Sequence, residues 1–350
     1  MLPASETSVT PAEGAPRPSA VRSRPTTAVA LAEVQAPVRE GLEQVKRELR
    51  RIVDDDSPLI AGVSHHLLGM KGKLFRPTLV LLSSAVVDRS EPTANTLAAV
   101  LELMHLATLV HDDAVDHSVL RRGMPTLNAL FSHQISVIAG DFLYLRALRE
   151  LARLGDLPAL RVLTEASVEM TRGELRQLTY GDPLAFGERD YEALIGAKTA
   201  SLFGAACEVG ALCGAPEHRA QLARYGERLG MAFQVIDDVL DYTSDQEVTG
   251  KPGGLDLRER KMTLPLIAAM REMGSAGRSR VEALFAVEAP SEGDIHDVIA
   301  LVAEYGGIEY ALRRGAQYAQ EAEHAIAPIP ATAVTGALHR AIAYVLDRRS

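Results

Sequence analysis

Apolar residues recur at intervals of three and four along nearly the whole chain, as at Leu42, Val45, Leu49 and Ile52. That period places them on one face of a helix. Period-two alternation, the mark of a half-buried strand, is nearly absent. The segments are filled with Ala, Leu, Glu and Arg, all good helix formers. Gly- and Pro-containing breaks fall at Pro58, 69–72, Pro92, 123–125, 155–158, 181–183, 214–216 and 250–254. The pattern predicts about a dozen helices between these breaks, with Thr93 and Asp156 as N-caps. Neither an internal linker nor a solenoid repeat interrupts it. The expected fold class is all-α, a single-domain helical bundle over residues 31–350. Residues 1–30, rich in Pro, Ser, Thr and Ala, read as a disordered N-terminal tail.

Composition narrows the function. A chain of 350 residues with 47% hydrophobic residues can bury a large core. Its net charge of −9 argues against a nucleic-acid partner, which would demand a basic footprint. Cys207 and Cys213 lack metal-ligand spacing and read as small core residues of a reduced, cytoplasmic protein. The most apolar segment, 97–110, is interrupted by Glu102 and His105, short of an uncharged membrane span. The tail lacks a secretory core, although Arg17, Arg22 and Arg24 leave an organellar targeting role open.

The candidate chemistry lies in two Asp-Asp-x-x-Asp clusters, Asp112-Asp113-Asp116 and Asp237-Asp238-Asp241, each inside an apolar helical run. Carboxylates four apart share a helix face. At ~5 Å and an effective dielectric of ~20 such a pair repels by roughly 3 kcal/mol. A solvated acidic face explains one such cluster; two with buried flanks call for a divalent cation. Hard oxygen donors without a Cys or His set favour magnesium, which leans on carboxylates and substrate phosphates together. Two facing clusters point to a diphosphate held between helices, since bundles build metal sites from facing helices.

Basic residues accompany them in order: Lys73 and Arg76, Arg121 and Arg122, Lys198, then Lys251 and Lys261. Arg grips a phosphate with two parallel hydrogen bonds, and Lys acts as a point charge. The motifs Gly-Lys-x-x-Arg-Pro (72–77), Glu-Leu-Met-His (102–105), Asp-Asp-x-x-Asp (112–116), Arg-Arg-Gly-x-Pro-Thr (121–126), Gly-Asp-Phe-Leu (140–143), Lys-Thr (198–199), Phe-Gln-x-x-Asp-Asp-x-x-Asp (233–241) and Gly-Lys (250–251) follow one another. In this the chain resembles the trans-isoprenyl diphosphate synthases of the polyprenyl synthetase family, over residues 35 to 349.

The resemblance implies an isoprenoid synthase fold with a central cavity, and a head-to-tail prenyltransferase that elongates an allylic diphosphate with isopentenyl diphosphate. It implies that Asp112, Asp116 and Asp237 are metal ligands, binding Mg2+ as three ions once substrate is present, with Asp113, Asp238 and Asp241 partial or indirect ligands. Arg121, Lys198, Lys251 and Lys261 would hold the allylic diphosphate, with Thr199 and Gln234 beside the reacting carbon. Lys73, Arg76, His105 and Arg122 would bind isopentenyl diphosphate. Asp112, Asp116, Lys198 and Asp237 would carry catalysis. A homodimer and transient membrane contact on product release are further expectations. Two positions depart from the family pattern: Leu74 stands where Arg is common, and Arg260 where Gly is usual.

The resemblance also implies a product tunnel beneath the first cluster, lined by the residues just before it; with the small Ala107 and Thr108 there, the expected product is a long all-trans chain, a quinone side-chain precursor. The competing readings are a short-chain geranylgeranyl or farnesyl diphosphate synthase and a subunit of a heteromeric synthase. A terpene cyclase of this fold would carry a different second metal motif.

Overall fold

The computed structural model describes residues 29–70, 72–87, 91–121, 123–243 and 253–348. The expected tail lies outside them apart from its last two residues, of which Val29 packs on the core. Helices make up nearly all of the described chain. In order they are α1 (Leu31–Gln35), α2 (Arg39–Val53), α3 (Pro58–Gly69), α4 (Phe75–Ser84), α5 (Thr93–Val115), α6 (Leu127–Leu130), α7 (His133–Leu154) and α8 (Leu157–Thr179). There follow α9 (Glu188–Ile195), α10 (Ser201–Gly214), α11 (Arg219–Thr243), α12 (Leu255–Arg258), α13 (Leu264–Glu272), α14 (Ser275–Ala286), α15 (Glu292–Glu304), α16 (Gly307–Ile326) and α17 (Ala333–Leu346).

The periodic apolar residues of α2 do bury: Leu42, Val45, Leu49, Ile52 and Val53 all face the core. Asp156 is an N-cap, its side chain accepting from the Ala159 N–H at 3.0 Å, just after Gly155 ends α7 in a left-handed conformation. Thr93 is not a cap. Pro92 occupies that position, with no side-chain hydrogen bond, and Thr93 is the first helical residue.

The bundle is built around α5, α10 and α11. Helix α5 packs on α4 and α7, α10 on α4, α8 and α11, and α11 on α16. Helix α5, which contains the apolar segment 97–110, is long and apolar enough to cross a membrane by length and composition even with Glu102 and His105 in it. Here 61% of that window is buried, because α5 is the core helix. Leu97, Leu101, Leu103 and Met104 have no exposed surface. Each such burial stabilises by roughly 1.5–3 kcal/mol. Close helix approach also needs small residues. A Cβ on Gly230 of α11 would stand 2.7 Å from the Ala200 Cα, so the second aspartate helix could not otherwise lie against the Lys198-Thr199 segment.

Just past α5 the chain reverses through a two-stranded hairpin, β1 (Leu120–Arg121) antiparallel to β2 (Met124–Pro125), paired Leu120 to Pro125 and Arg121 to Met124. This turn returns Arg121 toward the helix it has just left.

Candidate functional site

The C-terminal half of α5 and the C-terminal half of α11 open on one cleft. It has two joined parts, of about 580 Å³ and 620 Å³, which share Glu174, Lys198, Thr199 and Gln234 in their walls. Arg76, His105, Asp112, Arg121, Asp237 and Arg348 line the first part. Asp116, Tyr191, Asp238, Asp256, Arg260 and Lys261 are among the lining of the second. Each aspartate cluster therefore puts two of its carboxylates, Asp112 and Asp116 or Asp237 and Asp238, on one space between facing helices.

The six aspartates are not equivalent. Asp113 is buried and accepts two hydrogen bonds from the Arg121 Nε, at 2.8 and 2.9 Å. Asp241 caps the turn into α12, accepting from the Leu255 and Asp256 N–H groups, both at 3.0 Å. Asp238 is buried and accepts from the Tyr191 hydroxyl at 2.6 Å and the Gln234 Nε2 at 2.7 Å. Asp112 and Asp116 have no side-chain hydrogen bond or ion pair among the described residues, and Asp237 is held only by Arg348, at 3.1 Å. These three are the residues predicted as metal ligands.

Burial raises several of these carboxyl groups. Asp112 is raised by burial, against the pull of Lys198 and with repulsion from Glu174 and Asp116 adding to it. Burial lifts Asp113 despite Arg121. Asp238 is pushed up to about 7, by burial first and by Asp237 and Asp241, against the hydrogen bonds of Tyr191 and Gln234. Asp256 is driven well above the ordinary carboxylate range by burial and by Asp238 and Asp241. The site thus holds negative charge at a cost that added cations would relieve.

Lys198 and Thr199 lie in a π-helical turn, 196–200, between α9 and α10. Such a bulge inserts an extra residue into the helical register and is frequent at functional sites. Lys198 pairs with Glu174 and donates to the Gln177 Oε1 at 3.4 Å. Thr199 turns the other way and donates to the Gln234 Oε1 at 2.8 Å. A polar relay therefore runs from Thr199 through Gln234 to Asp238 and Tyr191. Lys261 pairs with Glu259 at 2.5 Å; burial pulls its ammonium down, but that ion pair more than offsets the effect and its pKa is raised.

At the other end, the Arg76 Nη1 donates to the His105 Nε2 at 3.0 Å. Arg76 also lies over the Phe203 ring, 4.8 Å from its centroid. Lys73 sits in the exposed loop before α4 and lines neither part of the cleft. Arg122 and Lys251, and with them the Gly250 turn, lie outside the described residues. Of the small residues before the first cluster, Thr108 lines the cleft but Ala107 is buried inside the bundle.

Sequence reasoning missed Arg348, Glu174, Tyr191 and Asp256. Arg348 is the most consequential. Its side chain is only 11% exposed, lies over the Phe233 ring at 4.2 Å, and keeps its buried Nε and Nη1 without a hydrogen-bond partner. No local motif marks it, since its partner is 111 residues away.

Among the described residues no three carboxylate, His or Cys side chains converge into a preformed metal cage. The fit is nonetheless to a hard cation that completes its shell elsewhere. Asp112, Asp116 and Asp237 offer oxygen only, from opposite walls, and magnesium characteristically takes substrate phosphates and water as its other ligands. Backbone strain is concentrated here too. Among the described residues, the non-glycine residues with left-handed φ are Leu74 (φ 48) before Arg76, His117 (φ 51) after Asp116, and Arg260 (φ 55) before Lys261.

A family model described as polyprenyl synthetase matches residues 57–302. The chain is 37% identical over 318 residues to an all-trans-nonaprenyl-diphosphate synthase (geranyl-diphosphate specific) of Rhodobacter capsulatus, covering 90% of this chain and 97% of that one. It is 36% identical over 316 residues to heptaprenyl diphosphate synthase component 2 of Geobacillus stearothermophilus, covering 88% and 96%. A crystal structure of a Caulobacter crescentus polyprenyl synthase, complexed with calcium and isoprenyl diphosphate, superposes with a TM-score of 0.88 at 32% identity, covering 93% of this chain and all of that one.

Proposed function

The chain belongs to the polyprenyl synthetase family, and from that premise we propose how its cleft adds isopentenyl diphosphate head-to-tail to an allylic diphosphate. The enzyme is a prenyltransferase, and relatives named as nonaprenyl and octaprenyl diphosphate synthases support a long-chain product. One observation carries the reading of the site. Asp112 and Asp116 of the first cluster and Asp237 and Asp238 of the second face one cleft whose walls also hold Arg76, Arg121, Lys198, Lys261 and Arg348.

Magnesium is the proposed metal, as three ions with substrate, held by Asp112, Asp116 and Asp237. When bound it supplies Lewis-acid stabilisation of charge on the departing diphosphate. Lys198, Lys261 and Arg121 add fixed positive charge around the same diphosphate oxygens. Thr199 and Gln234, locked to each other and to Asp238, place oxygen dipoles beside the allylic carbon as it becomes cationic. Thr108, Leu109, Met170, Leu202 and Phe233 line the first part of the cleft and exclude water from that carbon. Isopentenyl diphosphate sits on Arg76, His105 and Arg348 and attacks through its double bond. No described side chain stands out as a base, and the departing diphosphate takes the final proton.

The test is to incubate the purified chain with labelled isopentenyl diphosphate, magnesium and geranyl, farnesyl or geranylgeranyl diphosphate. Long polyprenyl products, lost on chelation, are expected. Arrest at fifteen or twenty carbons with isopentenyl diphosphate in excess would favour the short-chain reading.

The similarity to a named component 2 keeps a heteromeric synthase as a second reading. Activity of the chain alone would exclude it. A homodimer is the proposed assembly. The apolar helix α5 is largely buried in the bundle core and leaves little apolar surface for such a contact. The exposed Ile138 and Leu145 on α7, with Val168 and Leu175 on α8, supply the proposed contact surface. Contact with a membrane on product release and a cytoplasmic location complete the proposal.

A further inference from the structure

Helix α12 ends in a turn with a specific hydrogen-bond pattern. The Lys261 N–H donates to the Asp256 carbonyl at 2.7 Å, and the Arg260 N–H to the Leu257 carbonyl at 3.1 Å. These are the two bonds of a Schellman motif, in which the residue at position 260 must be left-handed. Glycine meets that demand without strain, whereas a residue with a Cβ is disfavoured. Arg260 nevertheless occupies it with φ 55. The turn itself asks nothing of a side chain there, so its retention needs another reason.

That reason lies in the cleft. Arg260 lines the second part together with Asp116, Lys198, Glu259 and Lys261. Among the described residues, four other cations around the aspartates are already committed. Arg121 pairs with Asp113, Lys198 with Glu174, Lys261 with Glu259 and Arg348 with Asp237. The Arg260 guanidinium has no side-chain hydrogen bond or ion pair among the described residues, and it is solvent-exposed. It is a fork of donors at the rim of an anion site, free to close on a phosphate.

We infer that Arg260 is an additional diphosphate-gripping residue, which holds the allylic diphosphate and the pyrophosphate it becomes, and leaves isopentenyl diphosphate to Arg76, His105 and Arg348. This rests on the prenyl transfer proposed above. It also implies that the backbone strain at position 260 is tolerated for the sake of binding.

The experiment measures magnesium-pyrophosphate affinity by calorimetry, and KM for each substrate, in the wild-type chain and in Arg260→Gln, Arg260→Gly and Arg260→Lys. Removing the guanidinium should weaken pyrophosphate binding roughly tenfold at low salt. The gap should narrow at high salt, because the group is exposed. The allylic KM should rise in parallel while the isopentenyl diphosphate KM stays put, and Arg260→Lys should recover part of the loss. Arg260→Gly should be at least as heat-stable as wild type, since it relieves the left-handed strain, so weaker binding cannot be misfolding. Unchanged pyrophosphate affinity in Arg260→Gln and Arg260→Gly, or an equal rise in both KM values, would overturn the inference. A wild-type chain that binds magnesium-pyrophosphate but condenses no substrates would instead overturn the functional reading.

Discussion

Replacing Arg348 with Ala tests the isopentenyl diphosphate site most directly. Two contacts are lost, the hydrogen bond to Asp237 at 3.1 Å and the stacking on Phe233 at 4.2 Å, and with them go two buried nitrogens that have no partner. The last of these matters most. A buried guanidinium with unsatisfied donors carries a desolvation penalty that an incoming phosphate would offset. A charge-assisted hydrogen bond contributes about 1.5–3 kcal/mol, so one lost phosphate contact should raise KM roughly 10- to 150-fold. The assay is initial rate against isopentenyl diphosphate concentration, with allylic diphosphate and magnesium saturating. A rise in that KM with a smaller fall in kcat is expected, because substrate binding is what the residue supplies. Arg348→Lys should lie between, retaining charge but losing the planar fork. The rival account makes Arg348 only a counter-ion that masks Asp237. Removing it would then free a metal ligand, lowering the magnesium concentration needed for half-maximal rate and leaving the isopentenyl diphosphate KM unchanged. That outcome would refute the reasoning.

Asp112→Ala and Asp237→Ala should each reduce turnover by roughly three orders of magnitude while circular dichroism stays native, because each removes a proposed ligand and also relieves repulsion; near-normal magnesium-dependent activity in either would contradict the assignment. Thr108→Phe should shorten the product without abolishing condensation, read by chain length on reversed-phase plates. Ala107→Phe should do so only at a stability cost of about 1–3 kcal/mol, because Ala107 is buried in the bundle. The metal-free chain should lose stability as pH rises from ~4 to ~7: Asp238 has a folded pKa near 7, above its usual 3.8, so the folded state binds the extra proton in that window and deprotonation favours unfolding. Thermal midpoints across that range, flat or rising with pH, would count against the burial of Asp238.

Periodicity and motif spacing determined a good deal of this protein. A three- and four-residue apolar repeat can be satisfied only by helices, and Gly-Asp-Leu-Pro at 155–158 reads directly as the end of one helix and the capped start of the next. The doubled Asp-Asp-x-x-Asp announced a metal and a diphosphate, because like charges one helical turn apart need a cation between them. What the pattern could not decide is how three aspartates of one cluster divide their work. In sequence Asp112, Asp113 and Asp116 are alike; only packing buries Asp113 against Arg121 and leaves Asp112 and Asp116 facing the cleft. Asp241 likewise looks like a ligand and in the fold caps a turn, since the chain returns to place two N–H groups on it. Apolar composition alone does not separate a core helix from an exposed one: α5 is largely buried in the bundle, while α7 leaves Ile138 and Leu145 exposed. Long-range partners stayed invisible for the same reason. Tyr191 reaches Asp238 across 47 residues and Arg348 reaches Asp237 across 111, and spacing along a chain carries no information about contacts that the packing of helices creates.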